Sequence, residues 1–225
     1  MASPFCPDRD IKRHDQIFIS PAAWRAVLEK REDLARDSLV ASWCEKGWPV
    51  VARRALPDEG SGIPLGLPLP PFAGKRRLSF VANADDIIAT APPPLLRDGL
   101  NTAPPSWHDT VVRVDALASR YDATARVFGS LAWQVLTGLD YLSVNSDLDL
   151  IFYVGRDTDL LGLTSGLASL EVHAPMRLDG ELIRDDGAAV NWRELHAGNK
   201  EILIKSLGGV RLLDVRHFLT AEVVE

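Results

Sequence analysis

Apolar positions along the chain change their spacing several times, and each change marks an element. After Ser20-Pro21, a hydroxyl N-cap followed by proline at the first helical position, Trp24, Val27 and Leu28 fall on one face and predict a helix from Pro21 to Arg31. A second helix is predicted from Asp33 to Lys46, stopped by Gly47. Trp48–Arg54 and Arg76–Ala82 read as strands, and the Gly- and Pro-rich stretch Gly60–Pro71 between them as an extended loop. These elements make a small α+β unit over residues 1–90. Ala91–Pro105 holds five prolines and few core-forming residues, which predicts a linker over 91–105.

Helical spacing resumes from Trp107 through Val111, Val114, Ala118 and Tyr121. A strand Thr124–Phe128, a helix from Ser130 to Thr137 and a strand Asp147–Val154 follow. Leu160, Leu163, Leu167 and Leu170 mark a further helix. The runs Pro175–Arg184 and Ala188–Arg193 flank Asp185-Asp186-Gly187, a strong hairpin turn. A last pair, Ile202–Lys205 and Val210–Val215, flanks Gly208-Gly209. The fold class is α+β, with residues 106–225 as a second domain.

Composition narrows the reading. With 225 residues, 46% hydrophobic and 25% charged, the chain suits two modest globular domains. A net charge of −6 gives no general attraction to nucleic acid, so anionic ligands need local basic clusters. Cys6 and Cys44 lack metal-ligand spacing and fit a reducing compartment better than a disulfide. Asp8, Asp10 and Lys12 stand where a secretory apolar core would sit, and no run is long enough to span a membrane, so a cytoplasmic protein is expected. The histidines show no paired zinc spacing, and neither a phosphate-loop nor a dinucleotide fingerprint is present. Trp24, Trp43 and Trp133 sit at core spacing, while Trp192 is a candidate to contact a nucleobase.

The chemistry concentrates in the second half. In Ser146-Asp147-Leu148-Asp149-Leu150 two carboxylates one residue apart share a strand face, where they repel unless a cation neutralises them. Upstream, Gly129-Ser130 ends one strand and opens a helix, offering backbone N–H groups and a hydroxyl to a phosphate. Asp179 is a third carboxylate if its strand lies beside that of Asp147 and Asp149, with Glu181 the alternative. Three such groups can hold one or two Mg²⁺ ions, roughly 3.5–4 Å apart when two bind, for phosphoryl or nucleotidyl transfer, and one of them can take a proton from an attacking hydroxyl. Arg53-Arg54 and Lys75-Arg76-Arg77 are the densest basic spots and the candidates to bind an anionic ligand.

The Gly-Ser turn followed one helix later by Asp-x-Asp resembles the nucleotidyltransferase superfamily, the DNA polymerase β-like mixed-sheet fold. Val127-Phe128-Gly129-Ser130-Leu131-Ala132-Trp133-Gln134, Leu136-Thr137-Gly138-Leu139, Ser146–Leu150, Asp179-Gly180-Glu181-Leu182 and Ala189-Val190-Asn191-Trp192-Arg193-Glu194 are similar to the phosphoribosyl-dephospho-CoA transferases of malonate decarboxylase. Looser likeness extends over Arg13-His14-Asp15, Gly47-Trp48-Pro49, Val51–Arg54 and Ile63–Pro68. The resemblance implies triphosphoribosyl-dephospho-CoA as donor and a serine of the acyl carrier protein subunit as acceptor. A phosphodiester would form and pyrophosphate would leave. It also implies Asp147, Asp149 and Asp179 as metal ligands and Gly129 and Ser130 as holders of the departing phosphates. Rivals are a nucleotidyltransferase that uses a nucleoside triphosphate on a small molecule, RNA or protein, and a non-catalytic module binding the carrier protein or CoA.

Overall fold

The computed structural model describes residues 11–56 and 59–220, and the chain divides into two compact units at Pro93/Pro94. Cys6, Asp8 and Asp10 lie outside the described residues.

The first unit carries β1 (Gln16–Ile19), α1 (Pro21–Glu29), α2 (Glu32–Ala35), α3 (Ser38–Ala41), β2 (Val50–Ala52), β3 (Ile63–Pro68), β4 (Arg77–Ala82) and β5 (Ile87–Ala91). Its strands form one antiparallel sheet in the order β4-β3-β2-β1-β5. As the sequence predicts, Ser20 caps α1, its Oγ accepting from Ala23 N at 3.1 Å. The helix expected over 33–46 is broken instead. Asp37 starts a new helix by accepting from Leu39 N at 3.1 Å and Val40 N at 3.4 Å, a local bond that competes with helix continuation. Trp24 and Trp43 are buried, and their indole N–H groups donate to Val40 O and Pro49 O, each at 2.9 Å.

The stretch expected as a loop holds an interior strand, β3. Arg53 N donates to Pro64 O at 3.0 Å, whereas Leu69 N donates to Arg76 O at 2.8 Å. The even positions of β3 therefore turn their backbone polar groups toward β2 and the odd ones toward β4. Pro64 and Pro68 both lack their N–H on the β2 side, so the β4 ladder stays whole and the β2 ladder is confined to Gly66 and Leu65. Leu65 and Leu67 are fully buried. Their alternation with Ile63 and Leu69 was the strand signal that the prolines masked.

The second unit carries α4 (His108–Arg120), β6 (Ala123–Val127), α5 (Gly129–Thr137), β7 (Leu148–Val154), α6 (Leu160–Glu171), β8 (Leu178–Arg184), β9 (Ala189–Asn191), α7 (Trp192–His196), β10 (Glu201–Lys205), β11 (Val210–Asp214) and α8 (Val215–Leu219). The six-stranded sheet runs β11-β10-β9-β8-β7-β6. Only β7 and β8 pair in parallel, joined by the α6 crossover; the other pairings are antiparallel, so the sheet is mixed. One sheet face, with Leu150 and Phe152 of β7 and Leu178 and Leu182 of β8, packs with Val114 of α4, Leu131 of α5 and Leu163 and Leu167 of α6. Ile151, Ile183 and Ala189 cluster on the opposite face with Phe128 and Tyr153.

The proline-rich stretch is not a free linker. Ala91 belongs to β5, while Leu96 and Ala103 are buried in the second unit's core. Val127 N donates to Pro94 O at 2.9 Å and Gln134 Nε2 to Thr102 O at 3.2 Å. Prolines punctuate this segment without leaving it in solvent, because Leu96 and Ala103 bury apolar surface between them. Both units are α+β.

Candidate functional site

Side-chain alternation brings the predicted carboxylates to one end of the sheet. Asp149 is the second residue of β7 and Asp179 the second of β8; the parallel register pairs them directly. Both side chains leave the sheet on the face opposite the helical core, and both are half-buried. Asp147 stands one residue before β7 rather than within it, although Leu148 N still bonds Arg177 O at 2.9 Å. It too is half-buried.

The start of α5 arrives at the same place. Val127 pairs with Leu150, and Phe128 N donates to Asp149 O at 3.1 Å. Gly129 has φ +61°, and a Cβ there would lie 2.6 Å from the Asp149 carboxyl carbon, with an oxygen nearer still. Glycine is what lets the carboxylate pack over the chain at this bend. Phe128, at the N-cap, supplies no side-chain cap, and the first-turn N–H groups of α5 lie beside Ser130 at the positive end of the helix dipole.

Asp179 is a strand residue, not a turn aspartate. Its Oδ1 accepts from Gly180 N at 3.0 Å and from Asn191 Nδ2 at 3.2 Å. Glu181, two positions further along the same face, is 6% exposed and ion-paired with Lys205 at 2.9 Å. The strand expected over Ala188–Arg193 ends at Asn191, because the Asn191 Oδ1 accepts from Arg193 N at 2.9 Å and starts α7. Trp192 is 1% exposed, its Nε1 donating to Leu178 O at 3.0 Å, so it is a core residue and not a free stacking platform.

Arg193 and Glu171, to which the sequence reading gave no role, form a bidentate ion pair behind these carboxylates. Hydrogen bonding to Arg193 holds the Glu171 carboxyl below its ordinary pKa against the opposing effect of burial, and Leu178 N adds to that stabilisation. The Arg193 guanidinium is raised in turn, chiefly by Glu171, with smaller contributions from the charges of Asp179 and Asp147. Arg193 therefore lies within electrostatic reach of Asp147 and Asp179. An Asn preceding Trp-Arg-Glu was the available signal, since it reads as a helix N-cap.

The basic residues expected to bind phosphates belong to the first unit. Arg53 is ion-paired with Glu59, and its Nε donates to Leu65 O at 3.0 Å, so much of its bonding capacity serves that unit. Arg76 pairs with Asp37 at 2.6 Å. Arg54, Lys75 and Arg77 are exposed.

Among the described residues no three or more His, Cys, Asp and Glu side chains are gathered to hold a metal ion as they stand. The donor set nonetheless fits a hard divalent cation in kind: Asp149 and Asp179 are register partners, Asp147 adjoins, all donors are oxygen, and Gly129 leaves the Asp149 carboxylate room. Among the described residues no helix is long and apolar enough to cross a membrane.

Comparison with known proteins places both units in one family. Residues 12–93 match the family described as phosphoribosyl-dephospho-CoA transferase MdcG N-terminal domain, and residues 95–216 match its C-terminal domain. A phosphoribosyl-dephospho-CoA transferase of Bradyrhizobium diazoefficiens is 51% identical over 213 residues, covering 95% of this chain and 94% of the relative. One from Xanthomonas campestris pv. campestris is 38% identical over 76% of this chain and 81% of its own length. One from Xanthomonas euvesicatoria pv. vesicatoria is 34% identical over 89% and 93%. No solved structure gives a significant match.

Proposed function

Because the chain belongs to the phosphoribosyl-dephospho-CoA transferase family, we propose that it moves the phosphoribosyl-dephospho-CoA group from triphosphoribosyl-dephospho-CoA onto a serine of the malonate decarboxylase acyl carrier protein. We read its second unit as a nucleotidyltransferase-type catalytic domain and its place of action as the cytoplasm. The observation that carries the reading is the convergence of the Asp149–Asp179 register pair with the start of α5 at Gly129.

In this reading the N–H groups at Gly129 and Ser130 hold the pyrophosphate end of the donor, where the helix dipole favours negative charge. Asp179, its Oδ1 held by Gly180 and Asn191, accepts the proton of the attacking serine. The serine oxygen bonds to the α-phosphorus, the bond to the bridging oxygen breaks, and pyrophosphate departs. Mg²⁺ held by Asp147 and Asp149, with Asp179 as third carboxylate, would supply countercharge to the polyphosphate. Asp179 fills this place better than Glu181, which is engaged by Lys205. The exposed cations Arg54, Lys75 and Arg77 remain proposed contacts for the donor or the carrier protein.

The test is intact-mass spectrometry of purified apo-carrier subunit after incubation with enzyme, donor and Mg²⁺. A mass gain confined to one serine, with one pyrophosphate released per transfer, is expected. Asp147→Asn and Asp149→Asn should each lose several orders of magnitude in rate, on the order seen when charge stabilisation is removed from a reacting centre. No mass gain with the wild-type enzyme defeats the assignment, and near-normal turnover by the double variant defeats the carboxylate mechanism.

A further inference from the structure

We propose that Asn191 is a positioning residue that sets the rotation of the Asp179 carboxylate. The proposal rests on the reading of Asp179 as a site carboxylate. Asn191 has two fixed partners: its Oδ1 accepts from Arg193 N at 2.9 Å, and its Nδ2 donates to Asp179 Oδ1 at 3.2 Å. The first bond orients the amide, because the end facing a backbone N–H must be the oxygen and the other end must donate. Gly180 N is a second donor to Asp179 Oδ1. One oxygen of Asp179 is thus taken by two N–H groups, and Oδ2 is the oxygen it has to offer a cation or a proton.

The backbone next to Asp179 is gripped from the end of α6 and from the same turn. Leu178 N donates to Glu171 Oε1 at 2.8 Å. Leu178 O accepts from Trp192 Nε1 at 3.0 Å and from Arg193 Nη2 at 2.9 Å. Asn191, Trp192 and Arg193 are consecutive, so one turn of chain fixes both where β8 begins and how its carboxylate is turned. The choice of an amide has a chemical reason. A lysine or arginine at this position would neutralise the carboxylate, whereas a neutral donor restrains it and leaves its full negative charge.

Two variants of the full-length protein test this. Asn191→Ser retains a side-chain oxygen able to cap α7 but is too short to reach Asp179. Asn191→Asp retains the cap and sets a second carboxylate against Asp179 Oδ1. Binding of Mn²⁺ is followed by the free-ion electron paramagnetic resonance signal, and transfer to the carrier subunit by steady-state kinetics. Asn191→Ser should weaken Mn²⁺ binding and lower kcat by about 10–100-fold, the range for losing an outer partner of a ligand, while KM for the donor is unchanged. Asn191→Asp should do worse in kcat. Cooperative urea unfolding of Asn191→Ser, like wild type, excludes a folding defect as the cause. Matching Mn²⁺ isotherms for wild type and Asn191→Ser overturn the proposal, as does a wild-type protein that binds no Mn²⁺. A wild-type enzyme that binds Mn²⁺ but transfers nothing defeats the proposed reaction instead, and the isotherms still decide the role of Asn191.

Discussion

Replacing Gly129 by alanine probes the bend that places the Asp149 carboxylate over α5. Gly129 and Gly138 stand at the two ends of this helix, with φ +61° and +70°. A Cβ at Gly138 meets nothing within 4 Å, so Gly138→Ala reports the backbone penalty alone, about 1–2 kcal/mol for an L-residue in the left-handed region. At Gly129 the same Cβ would lie 2.6 Å from Asp149 Cγ and 3.0 Å from Asp149 Cβ, so the aspartate or the bend must shift. Overpacking of that kind adds about 1–3 kcal/mol, giving a total of about 2–5 kcal/mol, a large share of ordinary domain stability. Urea denaturation of the two variants measures the difference. Displacing a reacting group by about 1 Å costs on the order of 100-fold in rate, so Gly129→Ala should lose transfer while Gly138→Ala keeps it. The reasoning is refuted if Gly129→Ala is no less stable than Gly138→Ala and transfers at the wild-type rate.

Glu171→Gln should change the acid limb of stability. The folded carboxyl lies below its ordinary pKa, so its contribution is present above the unfolded value of about 4.3 and lost as pH falls through the lower folded value. Urea midpoints should therefore show a wild-type advantage over Glu171→Gln that is full above about pH 5 and narrows below pH 4; a pH-independent difference would contradict the pairing with Arg193. The Cys44 thiol, pushed up to about 12 by burial, should resist iodoacetamide at pH 8 in the native protein and react once urea unfolds it. Peptide mapping would show this, and prompt native labelling at Cys44 would contradict its burial.

The second unit was more legible than the first, for local reasons. The Asp185-Asp186-Gly187 turn, the leucine spacing of α6 and the apolar run of β7 each agree with what forms there. In the first unit the signals conflicted. Pro64 and Pro68 argued against a strand, although their missing donors face only the short β2. Asp37 looked like one residue of a long helix and is the cap of a new one. The four-residue β1 gave too short a pattern to be read, and β5 merges into the prolines after it. At the site, spacing named Asp147 and Asp149 and left Asp179 and Glu181 as alternatives, because the juxtaposition of Asp149 with Asp179 depends on a parallel crossover that periodicity does not encode. Asn191 and Arg193 make their contacts through side-chain hydrogen bonds, which no hydrophobic pattern reports.

The parallel join of β7 and β8 also governs when this site can come into being. A hairpin joins residues adjacent in sequence, whereas these strands pair in parallel only when the segment carrying α6 crosses back over the sheet. A chain interrupted before β8 would keep Asp147 and Asp149 but lack the aspartate that β8 sets beside them.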